Sequence, residues 1–433
     1  MSMATENQDK AVLQYPGGEY EMDIVRATEG NDGVALGKML AETGLTTVDP
    51  GYVNTGSTLS DITYIDGANG ILRYRGYDIA DLAKNATFNE VSYLLINGEL
   101  PNQEELDTFN HNIRIHTLLD EDFKSQFRVF PRDAHPMSVL ASSVNILSTY
   151  YQDSLDVLNK DNQRLNTYRL MAKVPMLAAY AYRASKGKPY MYPDNSLNAR
   201  QNFLRNMFGY PTEPYENDPV VTKALDKLLI LHADHEQNCS TSTVRMVGSS
   251  QANMFASIAA GINALSGPLH GGANQAVLEM LEDIHAGGDD ATNFMNRVKN
   301  KEPGVKLMGF GHRVYKNYDP RAAIVKESAH EILEHLGGDN LLDLAMNLEE
   351  IALADDYFIE RKLYPNVDFY TGLIYRAMGF PTDFFTVLFA MGRLPGWIAH
   401  YLEQVNDPKA KINRPRQIYT GKSLRTVTPR DQR

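Results

Sequence analysis

The pattern of apolar and polar positions changes character once along this chain. From about residue 12 to 75, short runs such as GEYEMDIVRA, TTVDPGYVNTG and LSDITYIDGANGILRYRG set β-branched and aromatic residues between Gly, Asp, Asn and Pro. That punctuation predicts short strands joined by turns. After Tyr77 the apolar residues recur at three- and four-residue spacing, as in YDIADLAKNATFNEVSYLLINGEL, HPMSVLASSVNILSTYYQDSL and RLNTYRLMAKVPMLAAYAYRASKG. Each stretch stops near a Gly, a Pro or an Asp/Asn cluster, the mark of separate amphipathic helices. The helical pattern persists to about Val405, without heptads, fixed-period repeats or low-complexity tracts. The predicted fold class is mainly α. It comprises a large multi-helical domain plus a smaller helical lobe, with a short β-containing N-terminal segment. Gly/Pro clusters punctuate both ends of 276–380 and mark it as the smaller lobe. The β-containing segment is then 1–60, and 61–275 with 381–433 forms the large domain.

Composition narrows the function classes. The chain has 433 residues and a formal net charge of −12, with no Lys/Arg run. Such a chain is a poor ligand for nucleic acid or an anionic membrane, and an anionic substrate would need local arginines. Cys239 is its one cysteine, so no internal disulfide forms and a reducing cytosol is the natural setting. The N-terminus is polar and acidic, without the charged and apolar regions of a secretory signal. The stretch ANMFASIAAGINALSG carries Asn253 and Asn263 and is short of a membrane span. The expectation is a soluble, cytoplasmic protein.

Six stretches carry candidate chemistry. In LLILHADHEQNCSTSTVRM, His232, His235 and Cys239 would share a face if one helix spans them. Two imidazoles and a thiolate are zinc ligands, which keeps a zinc-dependent hydrolase open; alternatively one histidine donates to a carboxylate ligand. In SGPLHGGANQA, small residues surround His270. Gly271 and Gly272 permit φ values other residues resist and let backbone N–H groups approach a ligand. A histidine so presented can donate to a carbonyl oxygen as an enolate forms. In KLMGFGHRVYKNYDPRAA, His312 follows two glycines and precedes Arg313, Lys316 and Arg321, an anion-binding composition. Arg321 suits a bidentate grip on a carboxylate, and Lys316 suits a phosphate. In IERKLYPNVDFYTG, Asp368 sits among apolar and aromatic residues. If buried, it is a base near neutral pH; otherwise it caps the next helix. Arg393 in AMGRLPGWIAHYLEQ, with Arg414 and Arg416 in KINRPRQIYTG, could reach a dianion.

Taken in order, HADHE, GPLHGGAN, GFGHRVYKNYDPR, YPNVDFYTG and RPRQIYTG resemble the citrate synthase family over nearly the whole chain. The N-terminal segment resembles the longer bacterial form, which is often hexameric. The resemblance implies condensation of acetyl-CoA with oxaloacetate, then hydrolysis to citrate and CoA, with no metal and no cofactor. It implies that Asp368 removes the methyl proton, His270 holds the thioester carbonyl and His312 polarises the oxaloacetate carbonyl. It makes His235, Arg321 and Arg393 the oxaloacetate binders, with Arg414 reaching in from a neighbouring subunit, so the active unit is at least a homodimer. Lys316 falls near the CoA phosphates. The smaller lobe, 276–380, is expected to close over the substrates. A 2-methylcitrate synthase using propionyl-CoA differs by about one methylene of pocket space. Some long bacterial forms are inhibited by NADH through an Arg-His pair and a cysteine. Here Ile115 precedes His116, and Thr212 stands where that cysteine is expected, which implies weak or absent inhibition.

Overall fold

The computed structural model describes residues 10–338 and 340–433, which fall into two compact units, Met1–Ser60 with Asn413–Arg433, and Asp61–Ile412. In the first unit, Lys10–Tyr15 and Gly18–Val25 form an antiparallel hairpin in which Tyr15 faces Gly18, and Gly33–Val34 adds a short third strand. Period-two alternation buries Tyr20 and Met22 against Met39 as a small separate core. TTVDPGYVNTG, read as strand and turn, forms no strand. The Asp49 carboxylate accepts the N–H groups of Val53 (3.1 Å) and Asn54 (2.9 Å), and Pro50–Tyr52 folds into a single 3-10 turn. Local side-chain bonds there replace a sheet ladder.

The second unit opens with an antiparallel hairpin, Thr63–Asp66 and Ile71–Tyr74, to which Tyr77–Asp78 is added. Apart from an isolated bridge between Phe310 and Pro365, the regular elements described after it are helices, so the chain is mainly α, as the periodicity indicates. No helix among the described residues is long and apolar enough to cross a membrane.

The helix Phe385–Asn406 runs through the core, buried almost without interruption from Phe385 to Tyr401. A helix apolar all round belongs inside a large domain. Its polar residues therefore need partners. His400 Nε2 meets Asp234 Oδ2 at 3.2 Å with both side chains fully buried, the Trp397 indole N–H donates to Ser240 Oγ (3.2 Å), and Arg393 Nε donates to the His232 carbonyl (2.6 Å). All three bonds grip residues 232–240, which run from the end of the helix Pro219–His232 to the start of the helix Cys239–Gly248. The approach depends on glycine. A Cβ on Gly396 would lie 2.3 Å from the Ala233 carbonyl oxygen and 2.5 Å from Asp234 Oδ1. Gly396→Ala is therefore expected to cost about 3 kcal/mol through overpacking, read as a lower denaturation midpoint at unchanged m-value. A midpoint equal to the parent's would show that 232–240 does not need this close contact.

Candidate active site

His270 lies in the turn after the helix Met254–Leu265. Gly271 donates its N–H to the Leu265 carbonyl (3.0 Å), and a Cβ there would sit 2.4 Å from that oxygen and 2.8 Å from Thr386 Cγ2. The glycine is required by space rather than by conformation. Neither Gly271 nor Gly272 has positive φ, which corrects the conformational role expected of them. The ring is oriented from outside the turn. Ser240, second residue of the helix Cys239–Gly248, donates its backbone N–H to His270 Nε2 (3.2 Å). A backbone N–H only donates, so Nε2 holds a lone pair and a neutral ring carries its proton on Nδ1. Burial first, then the Arg393 charge, push the imidazole down to about 4. At neutral pH His270 is thus an uncharged donor through Nδ1.

His312 is built the opposite way round. Gly309 and Gly311 take φ of +78° and +74°, the left-handed region that favours glycine. The loop is stitched to 364–366: Gly311 N–H donates to Tyr364 O (2.7 Å), Asn366 N–H to Gly309 O (2.9 Å) and Asn366 Nδ2 to Gly311 O (3.0 Å). His312 Nδ1 accepts the N–H groups of Val314 (3.0 Å) and Tyr315 (3.2 Å), which leaves the proton on Nε2. Burial, then Arg321, hold this imidazole down at about 4. His235 stands beside it, ring centroids 5.3 Å apart, with Nε2 3.2 Å from the Tyr315 hydroxyl. Burial, then Arg321 and His312, keep His235 well below its ordinary value. Lys316 is exposed; its backbone N–H donates to Gly67 O (2.7 Å) and its Nζ to Arg313 O (3.2 Å). The hairpin turn carrying Gly67 thus braces the His312 loop.

Asp368 is the first residue of the helix Asp368–Ala377, whose N-cap is Val367. Its carboxylate makes no cap bond, and Oδ1 is buried without a hydrogen-bond partner among the described residues. The capping alternative therefore fails. Burial pushes the carboxyl up to about 6; Arg321 and Arg393 pull it down and Asp319 pushes it up.

The arginines differ in readiness. Arg393 is buried, and its Nη1 has no partner among the described residues. Burial lowers it to about 10, so it stays cationic at neutral pH. Arg321, expected to fork a ligand carboxylate, already forks Asp319: Nε to Oδ1 is 3.0 Å and Nη2 to Oδ2 is 2.9 Å. Arg414 is exposed and belongs to the unit of Met1–Ser60 and Asn413–Arg433, so it is described apart from the other site residues.

The helix Pro219–His232 ends at His232, and Cys239 starts the next one. The shared face expected of His232, His235 and Cys239 therefore does not exist. His232 Nδ1 donates to the Leu228 carbonyl (2.7 Å), its ring packs on Phe389, and Cys239 is exposed. No group of three or more His, Cys, Asp or Glu among the described residues could hold a metal ion. Sequence reading missed Ser240, Tyr315 and Asp319 as site-builders. The Asp-x-Arg spacing of Asp319 was a usable signal, while Ser240 lies 30 residues from His270 and showed only as the start of the hydroxyl-rich run STSTVRM, which suits a polar pocket.

A family model described as "Citrate synthase, C-terminal domain" matches residues 51–416. The chain is 80% identical over 432 residues to the citrate synthase of Corynebacterium glutamicum, covering 100% of this chain and 99% of that protein. It is 64% identical over 429 residues to citrate synthase 1 of Mycobacterium tuberculosis, covering 99% and 100%. Among solved structures, citrate synthase from Pyrobaculum aerophilum matches with a TM-score of 0.81 at 35% identity over 100% of both chains. The Thermoplasma acidophilum citrate synthase, in ternary complex with carboxymethyl coenzyme A and oxaloacetate, matches with a TM-score of 0.80 at 30% identity, covering 89% of this chain and 99% of that one.

The geometry fixes opposite tautomers. In nitrogen-resolved NMR of the imidazoles, His270 is expected to be protonated on Nδ1 and His312 on Nε2, both neutral from pH 8 down to about pH 5. Either ring in the other tautomer, or charged at pH 6, would contradict the assignment.

Proposed function

The chain belongs to the citrate synthase family, and from that premise we propose which of its residues carry each step. It condenses acetyl-CoA with oxaloacetate and hydrolyses citryl-CoA to citrate and CoA. Asp368 accepts a proton from the acetyl methyl group. The electron pair moves into the thioester, whose oxygen receives a hydrogen bond from His270 Nδ1. The resulting carbon nucleophile attacks the keto carbon of oxaloacetate, whose oxygen is polarised by His312 Nε2–H and protonated as the new bond closes. The observation that carries this reading is the presence together of a carboxylate at Asp368 whose Oδ1 is buried without a partner among the described residues and a neutral imidazole whose proton is pinned to Nδ1 by Ser240. A thioester methyl is a weak acid, so base and donor must act together.

His235, Arg321 and Arg393 are the groups we assign to oxaloacetate, with Arg414 supplied by a neighbouring subunit. The minimal active unit is then a homodimer, and the longer N-terminal segment is compatible with a hexamer. Lys316, exposed on the His312 loop, is assigned to the CoA phosphates. The set needs no metal or cofactor; acetyl-CoA is a co-substrate. Closure of 276–380 would exclude water around the reacting groups. The setting is cytoplasmic. The relatives at 80% and 64% identity are named citrate synthases, which favours acetyl-CoA over propionyl-CoA.

Free CoA thiol should appear on mixing the protein with oxaloacetate and acetyl-CoA, and more slowly with propionyl-CoA. Asp368→Ala is expected to lower kcat by about 10²–10⁴-fold. The base works deprotonated, so the parent's rate should rise with pH through about 6 and stay flat above it. Retention of parent activity by Asp368→Ala would overturn the assignment. For Arg414, each of the homodimers Arg414→Ala and Asp368→Ala should be inactive alone. Mixed dimers should regain activity, because one site then combines an intact Asp368 with an intact Arg414. No recovery on subunit exchange would place Arg414 outside the neighbouring site.

A further inference from the structure

Asp319 is 2% exposed and makes four hydrogen bonds to the two parts of the site that must act in concert. Its Oδ1 accepts the backbone N–H of Arg321 (3.0 Å) and Nε–H of the same residue (3.0 Å). Its Oδ2 accepts Arg321 Nη2–H (2.9 Å) and the backbone N–H of Val367 (3.2 Å), the residue immediately before Asp368. Glu349 ties the nearby Tyr318 hydroxyl to that of Tyr370, but among the described residues Asp319 is the carboxylate bonded to Arg321 and Val367 themselves. We propose that Asp319 is a positioning residue that locks the oxaloacetate arginine to the start of the helix bearing the base. This rests on the assignment of Asp368 and Arg321 made above.

The chemistry follows from what Asp319 holds. A guanidinium has five N–H groups; Asp319 takes the Nε edge and leaves Nη1, 3.4 Å from the Leu231 carbonyl, as the end with most freedom toward a ligand. Arg321 is thereby oriented before substrate arrives, which lowers the entropy lost on binding. The bond to Val367 fixes the first turn of the Asp368 helix, so base and substrate anchor share one rigid reference. Electrostatics runs through the same group. Burial opposes the charge on Asp319, but the Arg321 guanidinium outweighs it and holds the carboxyl below its ordinary value. The charge that results faces Asp368, along with Arg321 and Arg393; the Tyr375 hydroxyl also lies within electrostatic reach. Asp319 opposes the pull of both arginines, keeping the base weakly acidic and therefore strong enough to act.

The test is the acid limb of kcat/KM for acetyl-CoA in Asp319→Asn and Arg321→Gln, measured on the full-length protein. Removing the negative charge should strengthen the arginine pull, so the limb of D319N moves to lower pH by about one pH unit, with a raised KM for oxaloacetate. Removing the positive charge should move the limb of R321Q to higher pH. A loss of packing alone lowers activity at all pH values and cannot produce opposite displacements. If D319N does not fold, the double variant D319N/R321Q, which strands no buried charge, is read against R321Q, and its limb should lie at lower pH. Limbs that coincide, in proteins whose Asp368→Ala form is inactive, would overturn the role of Asp319. An active Asp368→Ala form would instead overturn the assignment of the base on which the proposal rests.

Discussion

Two buried guanidiniums set the terms for every other group in this site. Arginine keeps its proton at any pH a protein meets, so Arg321 and Arg393, each nearly inaccessible, place fixed positive charge in a medium that screens it poorly. The neighbours respond in the only ways available. Burial first, then these charges, make His235, His270 and His312 give up their protons, while Asp319, held by Arg321, and Asp234, held by His400 and then Arg393, stay ionised despite burial. Asp368 is caught between burial and the arginines and settles near pH 6. Arg393 Nη1, buried without a partner among the described residues, suits an anionic group, and in a chain of net charge −12 such a fixed cation is the means of holding one.

Neutral histidines are useful here because they can donate without being charged. An imidazolium beside two arginines would add repulsion and compete for the carboxylates meant for the arginines. A neutral ring has one proton, and its position must be specified. The fold specifies it with backbone N–H groups: the first turn of Cys239–Gly248 at His270 Nε2, and the turn after His312 at Nδ1. Backbone donors cannot rotate or titrate, so the two rings are oriented donors before substrate arrives, as electrostatic preorganisation requires.

Much of this was legible from residue types and spacing. Glycine flanks pointed to His270 and His312, and the apolar setting of Asp368 pointed to a raised carboxyl. What failed, failed for physical reasons. The glycines beside His270 were read as conformational, but Gly271 is demanded by a carbonyl six residues earlier, a contact that spacing does not reveal. The supposed metal face on His232, His235 and Cys239 assumed a continuous helix, whereas the helix ends at His232, whose carbonyl receives Arg393, and Glu236 turns the chain with φ of +43° before the next helix starts at Cys239. Arg321 was assigned to a ligand without its intramolecular partner two residues away. Ser240 and Trp397 act from 30 and more residues away and depend on the core helix Phe385–Asn406 lying where it does.

The central claim is that a neutral His270 and a raised Asp368 converge on one thioester. The most direct measurement is a crystal structure of this protein with oxaloacetate and carboxymethyl coenzyme A, whose terminal carboxylate mimics the enolate. The account expects one carboxylate oxygen within hydrogen-bond distance of His270 Nδ1, the Asp368 carboxyl against the carbon end of the mimic, and the oxaloacetate keto oxygen on His312 Nε2. A complex in which His270 turns Nε2 to the ligand, or in which Asp368 faces away from it, would contradict the account.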